Sequence, residues 1–300
     1  PPQPRSRPSM FDYRYHALSL AAVLFALAVG VLIGVAIGDS NLVSSAKNGI
    51  VHNLESEVDA AQHQAGQLQT RLNAEETFAN DLYPLSVHGV LAARNIGLVF
   101  LGGSSNRVDG LVRDAITQAG GNLATVVAVR EPLDLTGLSQ AASGTLYAGL
   151  ATDPELVHKF GGLAGRQLVS GGALVSQELL SRVRAHLLSA FDGQLGKLEG
   201  LVVVRAEPTG MTPEEAQASA AFESGLIAGV TAAGVPVVGV ELSNTEPSQV
   251  SWYKSQGISS VDDLDALAGQ AALLYALAGS HGTYGVKPSA DSLLPNVSGG

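Results

Sequence analysis

The chain has 300 residues, with 27 acidic against 17 basic side chains and a net charge of −10. That balance excludes a nucleic-acid surface, which needs clustered Lys and Arg to displace counterions from phosphates. With no cysteine, disulfides, thiolate metal sites and a cysteine nucleophile are excluded as well, and the abundance of Gly and Ala over aromatics fits Ala-rich helices without pointing to a function.

Residues 1–9 are rich in Pro and Arg and precede Met10, which reads as the natural start. Arg5, Arg7 and Arg14 against Asp12 leave this flank positive, so the positive-inside rule keeps the tail, residues 1–16, in the cytoplasm. Residues 17–38 (ALSLAAVLFALAVGVLIGVAIG) carry no charge and are long enough to cross a hydrocarbon core of about 30 Å. A cleaved signal peptide is the alternative, but its apolar stretch is typically about 7–15 residues and ends at an A-x-A-like site. The longer run without a clear site favours an uncleaved anchor, a single pass with the rest of the chain extracytoplasmic. Within it Ala22, Ala26, Gly30, Gly34 and Gly38 fall four apart, on one helix face, where a second backbone can approach closely. This predicts a homodimer; the competing reading is that small residues are simply common in such helices.

Asp39 and Ser40 let the chain leave the membrane. Val51, Leu54, Val58, Ala61, Ala65, Leu68 and Leu72 then recur at alternating spacings of three and four, the a and d positions of a short parallel coiled coil over residues 39–84. Glu75, Ala79 and Leu82 continue the frame weakly, Phe78 lies one place out of it, and Pro84 is expected to end the helix. A lone amphipathic helix folded back on the globular part is the alternative.

Residues 90–286 change pattern to short apolar runs between Ala-rich helical segments. Strands are expected at 96–101 (IGLVFL), 123–129, 200–205 (GLVVVR) and 235–240, and helices at 108–119, 153–160, 176–191, 212–233 and 262–278. Thr212-Pro213 opens one helix as cap and first residue, and Gly234 closes it. Alternating strands and helices imply a mainly parallel, Rossmann-like α/β domain with both sheet faces covered. The Pro-, Ser- and Gly-rich stretch after Gly285, residues 287–300, reads as a flexible tail.

Candidate chemistry is sparse. Gly102-Gly103-Ser104 follows the first strand, where a doubly wound sheet places a phosphate cradle, but it lacks both G-x-G-x-x-G and a Walker Lys, and a tight structural turn is the better reading. Glu207, Glu241 and Glu246 follow strand ends and are candidates for a polar pocket. The histidines (His16, His52, His63, His88, His158, His186, His281) show no metal-ligand spacing, and beyond Met10 only Met211 offers the thioether that copper(I) favours. Asp262, Asp263 and Asp265 (VDDLD) suit a hard cation or, more simply, the acidic opening of a helix. No G-x-S-x-G elbow occurs, and no catalytic constellation is expected.

Phe11-Asp12-Tyr13-Arg14-Tyr15-His16-Ala17-Leu18-Ser19-Leu20-Ala21-Ala22-Val23 and Gly30-Val31-Leu32-Ile33-Gly34 resemble the start of the actinobacterial copper transporter family, of mycobacterial MctB and corynebacterial SteB type. The stretch VSWYKSQGISSVDDLDALAGQAALLYALAG and the ending Gly282-Thr283-Tyr284-Gly285 are similar to the same family. The mycobacterial branch implies copper efflux or tolerance, with an outer-membrane location as the alternative. The corynebacterial branch implies an anchored partner of a thiamine-pyrophosphokinase-like (SteA-like) membrane protein in cell-envelope assembly and division. Copper enters by this resemblance alone, and no cofactor or catalytic residue is carried over. An outer-membrane pore needs strands of about 9–11 residues alternating apolar and polar around a closed barrel, whereas the strands here are continuously apolar. The leading expectation is therefore a homodimeric, membrane-anchored scaffold. Copper efflux and a small-molecule-binding α/β domain are the alternatives.

Overall fold

The structure, a computed structural model, describes residues 13–38, 40–172, 174–207 and 209–296. The basic flank, the Met10 start and Asp39 lie outside the described residues. The chain divides into two units, Pro1–Ala74 and Glu75–Gly300.

In the first unit, α1 spans Tyr13–Ile37 and is, among the described residues, the one helix long and apolar enough to cross a membrane. None of its residues is buried, as expected for a helix whose solvent is lipid. Its last bond runs from the Gly38 amide to the Gly34 carbonyl (2.8 Å), and α2, Ser40–Val87, begins two residues on. The heptad residues Val51, Leu54, Val58, Leu68 and Leu72 are 42–55% exposed, so the single chain leaves the stripe uncovered.

One expectation about α2 is corrected. Pro84 does not end the helix, which runs on to Val87. A proline this close to a C-terminus forfeits one backbone bond, and the adjacent Tyr83 and Val87 are buried in the second unit's core.

That second unit is built on one seven-stranded sheet in the order β3-β2-β1-β4-β5-β6-β7. The strands are β1 (Asn95–Leu101), β2 (Asn122–Val129), β3 (Leu188–Gly193), β4 (Gly200–Arg205), β5 (Val237–Val240), β6 (Ser259–Val261) and β7 (Thr283–Tyr284). All pairings are parallel except β2 with β3. Continuous Val, Ile and Leu runs suit such strands because both faces are covered. Ile96, Leu98 and Phe100 enter a core shared with α3 (Asn106–Gln118) and α9 (Leu267–Leu277), while Val99 and Leu101 enter the core shared with α4 (Leu135–Ala141), α5 (Pro154–Val169) and α7 (Pro213–Ala232). α7 starts on the expected Thr212 cap, which Glu215 completes as a capping box: the Glu215 amide donates to Thr212 Oγ1 (3.3 Å) and the Thr212 amide to Glu215 Oε2 (2.9 Å).

Three boundaries differ from the sequence reading by more than two residues. The helix expected to stop at residue 160 continues to Val169, because Gly161 and Gly165 are not breakers here but contact points. A methyl group at either would run into the Phe222 or Leu226 carbonyl of α7, and one at Gly225 or Gly229 into the His158 or Gly162 carbonyl of α5. The helix expected over 176–191 is α6 (Gln177–Leu187), and the residues after it become the antiparallel edge strand β3. The helix expected from residue 262 starts at Leu267. Asp262 and Asp263 instead follow a strand, β6, which with the short helix α8 (Val250–Ser255) had not been foreseen. The stretch expected to be loose is hydrogen-bonded to residues 241–284 as far as Ser292.

Candidate functional site

The sheet order reverses at β1, which has β2 on one side and β4 on the other. Open α/β sheets bind ligands outside the carboxyl ends of the strands at such a switch point. Here those ends carry Gly102 after β1, Glu131 after β2, Arg205 at the end of β4, Glu241 after β5 and Asp262 after β6.

Gly102 adopts φ +103°, open to glycine at little cost, and a Cβ there would lie 3.0 Å from Glu131 Oε2. A carboxyl group, not an array of N–H donors, thus fills the space where a phosphate cradle was considered. Ser105, one residue past the expected turn, caps α3 by accepting from the Val108 amide (3.4 Å), while Gly103 and Ser104 are exposed.

Glu131 faces Glu223, which projects from the middle of α7 and is 1% exposed. Burial, the hydrogen bond with Glu223 and that group's negative charge push the Glu131 carboxyl up to about 8, against a lowering influence of Arg205. At neutral pH the pair therefore holds a proton, with Glu131 Oε1 and Glu223 Oε1 left without partners among the described residues. Arg205 donates through Nε to Glu223 Oε2 (2.8 Å) and through its terminal nitrogen to Gln249 Oε1 (2.5 Å), and its guanidinium lies 4.7 Å from the centre of the Trp252 ring. The fully buried Tyr253 hydroxyl accepts from the Arg205 amide (3.0 Å) and donates to the Val240 carbonyl (3.2 Å). Burial pushes this phenol well above its usual range.

Gln249 carries the network onward, its amide donating to Glu241 Oε2 (2.5 Å). Glu241, 3% exposed, also accepts from Ser248 Oγ (2.7 Å) and Lys287 Nζ (2.6 Å), and Lys287 donates further to the Thr245 carbonyl (2.8 Å). Asp262 accepts from the Val286 amide (2.8 Å) and the Lys287 amide. Neither oxygen of the buried Asp263 has a partner among the described residues, and burial, then the charges of Asp262 and Asp265, push it up to about 6.

Of the residues named from sequence, Gly102 and Glu241 thus lie at opposite ends of one buried polar chain through Glu131, Glu223, Arg205 and Gln249. Gly103, Ser104, Glu207 and Glu246 are exposed outside it. The residues that join them, Glu131, Arg205, Glu223 and Gln249, were not read from the sequence. The available signal was a charged residue ending or interrupting an otherwise apolar run, as in VVVR and AFESGLI. The arrangement clamps α8 and the segment around Lys287 onto the carboxyl ends of the strands, and it contains no histidine. His186 pairs elsewhere, with Asp134 (2.7 Å). Among the described residues no three His, Asp or Glu side chains are grouped to hold a metal ion, and Met211 accepts only a weak bond from Ser219 (3.9 Å).

The sequence model of a family described as "Copper transport outer membrane protein, MctB" matches residues 10–295. The proteins named copper transporter MctB from Mycobacterium tuberculosis (strain H37Rv) and Mycobacterium bovis are each 26% identical to the chain over 291 residues. That alignment covers 89% of this chain and 92% of theirs.

Proposed function

The chain belongs to the MctB family, and on that footing we propose that it is a membrane-anchored envelope protein that serves copper tolerance by pairing through its helices and engaging a partner. The observation that carries the reading is the match itself, which runs from the apolar helix through the whole sheet. The copper part comes from the names of the relatives. The pairing part is supported by the uncovered heptad side chains and by Gly30 and Gly34, at which nothing lies within 4 Å. A single spanning helix encloses no path for an ion, and a mostly parallel sheet with both faces covered is not a barrel wall. Copper export through this protein therefore calls for further copies or other subunits, and the α/β unit serves as the scaffold on which they assemble.

The test is a strain lacking the gene, grown over a copper series, with crosslinking of the full chain in its native membrane. Copper sensitivity that the full chain relieves, together with a crosslinked pair and a captured partner, is the expected result. Growth indifferent to copper removes the copper role. A chain that crosslinks only to itself removes the scaffold role, whereas capture of a thiamine-pyrophosphokinase-like membrane protein with no copper phenotype moves the function to envelope assembly.

A further inference from the structure

Between α5, α6, β2 and β3 the second unit encloses a cavity of about 120 Å³. Its wall includes Val127, Phe160, Leu168, Leu180, Leu187 and Phe222. One wall is thin: on α6 only Leu187 is buried, and Leu179, Leu180 and Val183 face the cavity half-buried. The lining is almost wholly apolar, and polar groups sit behind it or at its rim. Gln167 is 6% exposed; its Oε1 accepts from the Leu174 amide (2.9 Å), but its Nε2 has no partner among the described residues. Arg184 lies 3.5 Å from the Phe191 ring centre and makes no ion pair among the described residues, which leaves a positive charge at the same wall.

We propose that this cavity binds the chain of a free fatty acid, with Arg184 at its exposed wall attracting the carboxylate. Apolar walls exclude water and favour methylene groups. An apolar cavity of about 150 Å³ takes up benzene, so the present volume suits part of one acyl chain rather than a two-chain lipid. The remainder of the chain passes out along α6 and covers Leu179, Leu180 and Val183. The site is separate from the carboxyl network at the strand ends.

The experiment uses the full chain in its native membrane, a clickable fatty acid with a photoreactive diazirine in its chain, and mapping of the labelled peptides. Label is expected in residues 160–191 and should fall at least about tenfold when unlabelled fatty acid is added in excess. Label in α1, which faces lipid, should not be competed and serves as the internal reference. Leu180→Trp, which fills the cavity, should remove the competed label and keep that on α1. Arg184→Glu should weaken labelling by the acid but not by the corresponding fatty alcohol. Label confined to α1, or cavity label that unlabelled acid does not compete, overturns the proposal, and the wild-type competition decides this even if a variant misfolds. Equal loss of acid and alcohol labelling in Arg184→Glu overturns the role of the charge. Labelling by a diazirine phospholipid as strong as by the acid overturns the assignment to a free acid.

Discussion

Small residues four apart occur on helices in both units, and their surroundings differ. On α5 and α7, Gly161, Gly165, Gly225 and Gly229 each sit against a carbonyl of the other helix, so two backbones touch within one chain. On α1, Gly30 and Gly34 have nothing within 4 Å. The spacing states only that a close approach is permitted. Whether it supports the fold or waits for a second chain depends on whether another segment of the same chain can reach it.

The largest effect should follow from breaking the closed seam. Gly225→Ala places a methyl group against the His158 carbonyl, which belongs to a helix backbone and cannot swing aside. Overpacking of this kind costs roughly 3 kcal/mol, which lowers the melting temperature of a domain of this size by about 6–12 °C. Gly34→Ala, where nothing lies within 4 Å, should leave that melting temperature unchanged. Calorimetry of both variants is the check, and an unshifted Gly225→Ala would mean that α5 and α7 are not in backbone contact.

A pH series sharpens the contrast between that seam and the polar edge. Glu131 and Asp263 are raised to about 8 and about 6 from the ordinary carboxyl values of 4.5 and 3.8. Between each pair of values the folded protein binds more protons than the unfolded one, so stability falls as pH rises through that window. Asp263 contributes a loss between about pH 4 and 6, and Glu131 one between about pH 4.5 and 8. Glu131→Gln should flatten the fall between pH 6 and 8 in urea titrations, and Asp263→Asn the fall below pH 6. The deficit of Gly225→Ala should keep its size across the series, because the clash it introduces is with a backbone carbonyl. An unaltered slope in Glu131→Gln would mean that the Glu131–Glu223 pair does not hold a proton.

Periodicity made the long elements legible: the apolar helix, the α2 stripe, the parallel strands and the capped α7. The same reasoning failed where tertiary contacts override a local signal. Gly161 and Gly165 look like breakers until α7 presents its own glycines. The residues 188–193 continue a helical pattern, yet they bond to the free edge of β2. β6, three residues long, and α8, six, are too short to carry a period. Of the candidate site, the strand-end position of Glu241 was readable from the run before it. Its partner Lys287 lies 46 residues on, and no spacing rule connects the two. Glu223 sits inside an Ala-rich helix where only the fold shows that it meets Arg205.

The smallest effect concerns the open stripes. Within lipid, apolar burial gives helices no reason to associate, and packing of small residues is left as a weak force. Gly34→Ile should therefore weaken pairing by about 1 kcal/mol, or roughly fivefold in the dimerisation constant, without moving the melting temperature of the α/β unit. Leu68→Glu places charges at a d position of the heptad stripe and should lower the crosslinked fraction further. If both stripes pair the same two chains, the double variant should lose more than either alone, close to the sum of the two effects because the sites are far apart in sequence and share no partners. A crosslinked fraction unchanged by Gly34→Ile but lowered by Leu68→Glu would assign pairing to α2 alone and leave the glycines of α1 facing lipid. No change in either variant would mean that neither stripe is a pairing face.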